Sequence, residues 1–211
     1  MQKKIIILFL PLLLCVSSWA QQTNILSSNY SVSPKLRQFI TDHSTASKLL
    51  TNALSEAFSN RTVQLYYFYT DDESTARAFH YYPDESVVGI VIRENQQPPD
   101  EFICLLFEVL NSEGEKRFQE IYQKAKDGTL SKGDFVNAVS KVEFEAIKRT
   151  RDLIHDLNLN KKEISESYYY NRLIQCPDKF EDFLSYKKKV SPQRDQVKEY
   201  EMDYDSLRKT P

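Results

Sequence analysis

The side chains with the most chemistry to offer in this 211-residue chain are acids. Glu108 stands alone in the apolar run "FICLLFEVLN", Phe102 to Asn111. Two more glutamates, Glu143 and Glu145, lie in "KVEFEAIKRTRDL". A carboxylate in apolar surroundings holds its proton more tightly, which suits general acid–base work. Glu108 with Glu143 or Glu145 is therefore the acid pair that a hydrolase would use here, with or without a non-zinc metal. At about 100° per residue, Glu145 falls next to Ala146 on an apolar stripe and Glu143 on the other shoulder. Either can face the earlier helix. The plainer alternatives are solvated acids, or a Glu145–Arg149 pair four residues apart. If Glu108 points inward it needs a partner such as Arg149 or a tyrosine hydroxyl, since an unpaired buried carboxylate is costly. Otherwise it is an ordinary helix residue.

The elements that must carry these residues follow from pattern. Ser33 and Pro34 read as a cap and first helical position, opening one or two amphipathic helices to about Asn60. Three strand-length runs follow: "TVQLYYFYT" from Thr62, "ARAFHYY" from Ala76, and "SVVGIVIR" from Ser86. Short polar connections between them predict an antiparallel meander. After "ENQQPPDE" the periodicity is helical. Asp100 is placed to cap a helix reaching Asn111 or Gly114, and a second helix stops at Asp127-Gly128. A long helix from about Lys132 to Leu157 carries the stripe Phe135, Ala138, Val139, Val142, Ala146, Leu153 and Leu157. Lys161–Ile174 and Asp178–Val190 predict two more, broken near Cys176-Pro177. The fold class is α+β: an N-terminal helix, a three-stranded meander, then a predominantly helical half.

Shifted by a few residues, Phe107-Glu108-Val109-Leu110-Asn111 has the outline of H-E-x-x-H with both histidines replaced. Together with the order of elements and an acid on a later helix, it resembles the zincin metallopeptidases of the glutamate-ligand kind over Thr62 to Leu157. That resemblance implies a catalytic role for Glu108 and a third-ligand role for Glu143 or Glu145. The replacements work against it, because phenylalanine has no lone pair and asparagine is a weak neutral zinc ligand. The expectation is thus an inactivated framework with no metal and no cofactor.

Other chemistry is sparse. The scarce glycines form no G-x-S-x-G elbow, P-loop or G-x-G-x-x-G. His43, His80 and His155 are scattered and read as surface or packing residues. Cys104 and Cys176 can close one disulfide in an oxidising compartment or stand as separate buried thiols, and the sequence leaves both open.

The compartment comes from the N-terminus. Met1-Gln2-Lys3-Lys4, the apolar run Ile5–Val16, and small Ser18 and Ala20 predict a signal peptide cleaved before Gln21. The run is too short for a spanning helix, which needs roughly 20 apolar residues. The expected organisation is a signal peptide over 1–20, a loose segment over 21–33, one α+β domain over 34–190 and a charged tail over 191–211. That tail is expected to pack only through Tyr200 and Tyr204. With 28 basic against 30 acidic residues, interspersed, nothing favours nucleic acid or an anionic membrane. The reading is an exported protein, periplasmic or extracellular, with no stable membrane insertion after cleavage. Its job would be non-catalytic binding or scaffolding of a protein or peptide, with the acid-pair hydrolase as the alternative.

Overall fold

Ser33 opens the first helix as its sequence suggests. Its Oγ accepts from the Leu36 N–H at 3.0 Å, and Pro34 occupies the first turn of α1 (Pro34–Asp42). The computed structural model describes residues 32–57, 62–69, 78–84, 86–155, 157, 161–190 and 195–209. The expected signal peptide and its cleavage site lie outside the described residues. At His43 the chain turns into α2 (Ser44–Ala57). Leu36, Phe39 and Ile40 from α1 and Ala46, Leu50, Ala53 and Leu54 from α2 enter the core.

The sheet corrects the expected meander. Its strands are β1 (Thr62–Phe68), β2 (Ala78–Asp84) and β3 (Val87–Arg93), in the order β1-β3-β2. β3 runs parallel to β1 and antiparallel to β2, so the sheet is mixed. The reason lies in composition. "VVGIVIR" is apolar at nearly every position and suits a strand buried on both faces, whereas the tyrosine-rich strands tolerate an edge. Alternation then sorts the side chains. Val63, Leu65, Val88, Ile90 and Ile92 join the main core, while Tyr66, Phe68 and Val91 cluster on the opposite face with Tyr81 against them.

The main core is closed by α3 (Pro98–Ser112), which packs on β2, β3, α1, α2 and two later helices, α5 (Lys132–His155) and α7 (Tyr168–Gln175). Between them α4 (Glu115–Lys126) ends where Gly128 adopts φ 75°, the left-handed cap that Asp127-Gly128 predicts. The long α5 buries most of its expected stripe. It also buries Val136, Ser140, Glu143 and Phe144, because neighbours surround it on several sides. The single helix expected over Lys161–Ile174 is divided into α6 (Lys161–Glu166) and α7 at Ser167, which caps α7. Next comes α8 (Phe180–Val190), and the charged tail contains α9 (Gln196–Lys209). α9 packs by Val197, Tyr200, Tyr204 and Leu207 against Ala125, Phe135, Val136 and Val139. It therefore covers a second core and does more than touch through two tyrosines.

Gly89 marks the tightest point of the sheet. It pairs with Tyr81 across the β2–β3 ladder, and a Cβ built there would stand 2.3 Å from Tyr81 Cε1. Gly89→Ala must displace that ring and is expected to cost about 1–3 kcal/mol, read by denaturant unfolding. The loss should shrink in a Tyr81→Ala background, where the space is cleared.

Candidate functional site

Glu108 is buried, at 5% exposure, and its partner is neither Arg149 nor a tyrosine. His80 Nδ1 lies 2.7 Å from Glu108 Oε2. Two periodicities make this meeting. His80 and Tyr82 are two apart on β2 and share the face toward α3. Glu108 and Ser112 are four apart on α3 and share the face toward β2. The second pair completes the seam, with Tyr82 Oη donating to the Ser112 carbonyl at 2.9 Å. The His80 and Tyr82 rings meet edge-on, with centroids 5.6 Å apart. Only 11% of the His80 side chain is exposed, and among the described residues its Nε2 has no hydrogen-bond partner. The carboxylate thus fixes the imidazole in one orientation, as in the acid–histidine half of a catalytic relay, but no hydroxyl or thiol nucleophile among the described residues bonds to the other nitrogen.

The later acids go elsewhere. Glu143 is buried, forms an ion pair with Lys187 of α8, and accepts from Gln196 Nε2 of α9 at 2.9 Å. The Lys187 ammonium also lies over the Phe183 and Tyr200 rings, 5.2 and 5.3 Å from their centroids. Glu145 is exposed and pairs with Arg117 of α4. Arg149, its expected partner, instead bonds to Glu113 and Glu56. Glu108, Glu143 and Glu145 therefore have three different cationic or imidazole partners and do not form the acid pair. Among the described residues no group of three or more His, Cys, Asp or Glu side chains is arranged to hold a metal ion. Of the two positions that the peptidase motif would fill with histidine, Phe107 is half-buried and Asn111 is buried, its Oδ1 lacking a hydrogen-bond partner.

Two more carboxylates on α3 serve as tertiary staples. Asp100 is not the cap of its own helix. α3 starts earlier, at Pro98-Pro99, where missing N–H groups cost nothing. Asp100 is thereby free to cap α7, accepting from Ser167 Oγ at 2.6 Å and from the N–H groups of Tyr169 and Tyr168 at 2.8 and 3.3 Å. A negative charge at that end also complements the helix dipole. Glu101 accepts from Tyr67 Oη at 2.7 Å and from Ser33 Oγ at 2.8 Å, while the Ser33 N–H donates to Tyr67 Oη at 2.9 Å. Burial raises the Glu101 carboxyl pKa, against the opposing pull of these hydrogen bonds. Burial and the neighbouring Glu101 charge raise the Tyr67 phenol as well.

Cys104 and Cys176 are both buried, and the two thiols are not bonded to each other in this structure. Cys104 faces Gln96 Oε1 at 3.6 Å, whereas Cys176 caps the end of α7 against Phe144 and Phe183. Burial pushes the Cys176 thiol up to about 11, which leaves little thiolate at neutral pH. A cleft of about 350 Å³ opens between α1 and the start of α3, lined by Lys35, Phe39, His43 and Gln97 among others. None of Glu108, Glu143 or Glu145 lines it. No family model, curated protein or solved structure matches the chain.

In the sequence His80 reads as a surface or packing residue. The signal that pairs it with Glu108 was available in the alternation of "AFHYY", which sets His80 on the face opposite Phe79 and Tyr81.

The Glu101 shift has a definite sign. A raised folded-state value means that the folded protein holds this proton more tightly than the unfolded chain does. The contribution is fully present below the ordinary glutamate value of 4.5 and is lost as pH rises through the folded value. Glu101→Gln should therefore flatten the fall in stability above pH 4.5, measured by denaturant unfolding across a pH series.

Proposed function

We propose that this chain is an exported, non-catalytic binding or scaffold domain built on an inactivated metallopeptidase-like framework. The observation that carries this reading is the state of Glu108. It is buried, bonded to His80 and flanked at the two motif positions by Phe107 and Asn111. A catalytic glutamate in such a helix must face a metal-bound water, which needs imidazole or thiolate ligands around it. Here the imidazole is tied to the glutamate through Nδ1, and the remaining acids are engaged by lysine, arginine and glutamine. The near-balanced, interspersed charge suits a protein or peptide partner better than a polyanion. Among the described residues no helix is long and apolar enough to cross a membrane.

A hydrolase using Glu108 is the second reading, favoured by one feature: among the described residues His80 Nε2 has no hydrogen-bond partner, while Nδ1 is braced by a carboxylate. Metal analysis of the purified chain separates the two. The binding reading predicts no stoichiometric metal after dialysis, and an unfolding midpoint that added zinc or chelator does not move. Stoichiometric metal that is lost in Glu108→Gln would overturn it.

A further inference from the structure

The cleft between α1 and the start of α3 is assembled from residues that the sequence spaces for it. Lys35, Phe39 and Asp42 follow one another at steps of four and three, so they share one face of α1. His43, four residues after Phe39, ends the helix on the same side. Pro98 and Pro99 of α3, with Glu166 at the end of α6, complete the lining of a cavity of about 350 Å³. Its floor is aromatic and well fixed. Phe39 is 5% exposed, and its ring lies 5.6 Å from that of the buried Phe102 and 4.5 Å from the His43 imidazole. His43 Nδ1 donates to the Phe39 carbonyl at 2.9 Å, which holds the imidazole against that floor.

Polar side chains around this floor are left unused by the fold. Among the described residues Lys35, Glu166 and the Gln97 side chain make no hydrogen bond or ion pair, and Gln97 does not cap α3. Asp42 accepts from Gln38 Nε2 at 2.8 Å through one oxygen only. An apolar floor with a few convergent polar groups is the usual form of a ligand site.

The charges select what enters. A helix N-terminus ordinarily favours an anion, but Pro98 and Pro99 deprive α3 of the N–H donors that would bind one. The other helix end at the cleft is the C-terminal pole of α1, which is negative and carries Asp42, with Glu166 as a second acid. Lys35 lies two turns away, about 10 Å along α1. A cation is therefore favoured at the Asp42 end, where the Phe39 ring adds its own attraction. Gln97 offers an amide that matches the N–H and C=O of a peptide main chain.

We propose that the α1–α3 cleft recognises an extended peptide through a lysine or arginine side chain set between Asp42 and Glu166, with the peptide main chain paired to Gln97. This rests on the binding-domain reading and deepens it, since it names the partner as a basic peptide segment.

Two-dimensional NMR of the full chain tests it, with the acetylated and amidated peptide Ala-Arg-Ala as the probe and Ala-Glu-Ala as the control. The arginine peptide is expected to produce saturable amide shifts at Phe39, Asp42, His43 and Gln97. The glutamate peptide should bind about tenfold more weakly or not at all. Asp42→Lys and Glu166→Lys, both at exposed positions, should each weaken the arginine peptide about fivefold. Thermal unfolding checks that each variant is folded, and either one suffices if the other is not. Shifts that do not saturate at these residues, equal affinity for the two peptides, or folded charge variants that bind the arginine peptide unchanged would overturn the proposal. Metal content is read separately, so a metal-free chain whose cleft takes no arginine peptide overturns the cleft alone and leaves the binding-domain reading standing.

Discussion

Burying a carboxylate is expensive, and α3 buries three of them within one apolar helix. Much of the architecture consists of elements arranged to meet those charges. Asp100 requires a helix N-terminus, and α7 begins at Ser167 to supply it. Glu101 requires hydroxyls, which come from Tyr67 on β1 and Ser33 at the start of α1. Glu108 requires a donor that reaches across from the sheet, and His80 on β2 supplies it. Each staple ties α3 to a different part of the chain, so the polar contacts specify which elements surround the helix. The apolar contacts supply the bulk of the stabilisation but are far less particular about partners.

The same principle repeats in the C-terminal half on a smaller scale. Glu143 enters the seam between α5, α8 and α9, and Lys187 and Gln196 converge on it. A buried pair of this type contributes little net stability compared with an apolar replacement, yet removing one partner leaves a stranded charge. Its effect is to fix α9 against α4 and α5, where the tyrosines of that helix complete the second core. The charged C-terminal helix is thereby held in place by a buried charge and an apolar stripe, together with bonds such as Lys132–Asp205 and Tyr204 Oη to the Leu130 carbonyl.

How much of this was legible beforehand depended on whether the information was local. Helix starts and stops at Ser33-Pro34 and Asp127-Gly128, the α5 stripe and the α+β order all follow from periodicity and cap chemistry. The strand segments were legible too, but their order was not, because pairing is a competition among the strands. The composition of "VVGIVIR" was the clue that it belongs in the centre. At Asp100 a local cap and a tertiary cap look the same in sequence, and only the Pro98-Pro99 start of α3 distinguishes them. The neighbouring Ala146 makes Glu145 look like part of the stripe, although α5 turns Glu143 inward and Glu145 toward Arg117. Local sequence singles out Glu108 as the lone acid of an apolar run, but the residue that decides its role, His80, lies 28 positions earlier in another element.

The central claim is that Glu108 and His80 form a structural pair. A double-mutant cycle with Glu108→Leu and His80→Phe, measured by denaturant unfolding without metal, tests it most directly. Each single substitution strands the other partner and should cost about 2–4 kcal/mol, and the double should fall short of their sum by about 1–3 kcal/mol. Additive losses with no coupling, or a stability that depends on added metal in the wild type and not in the variants, would contradict it.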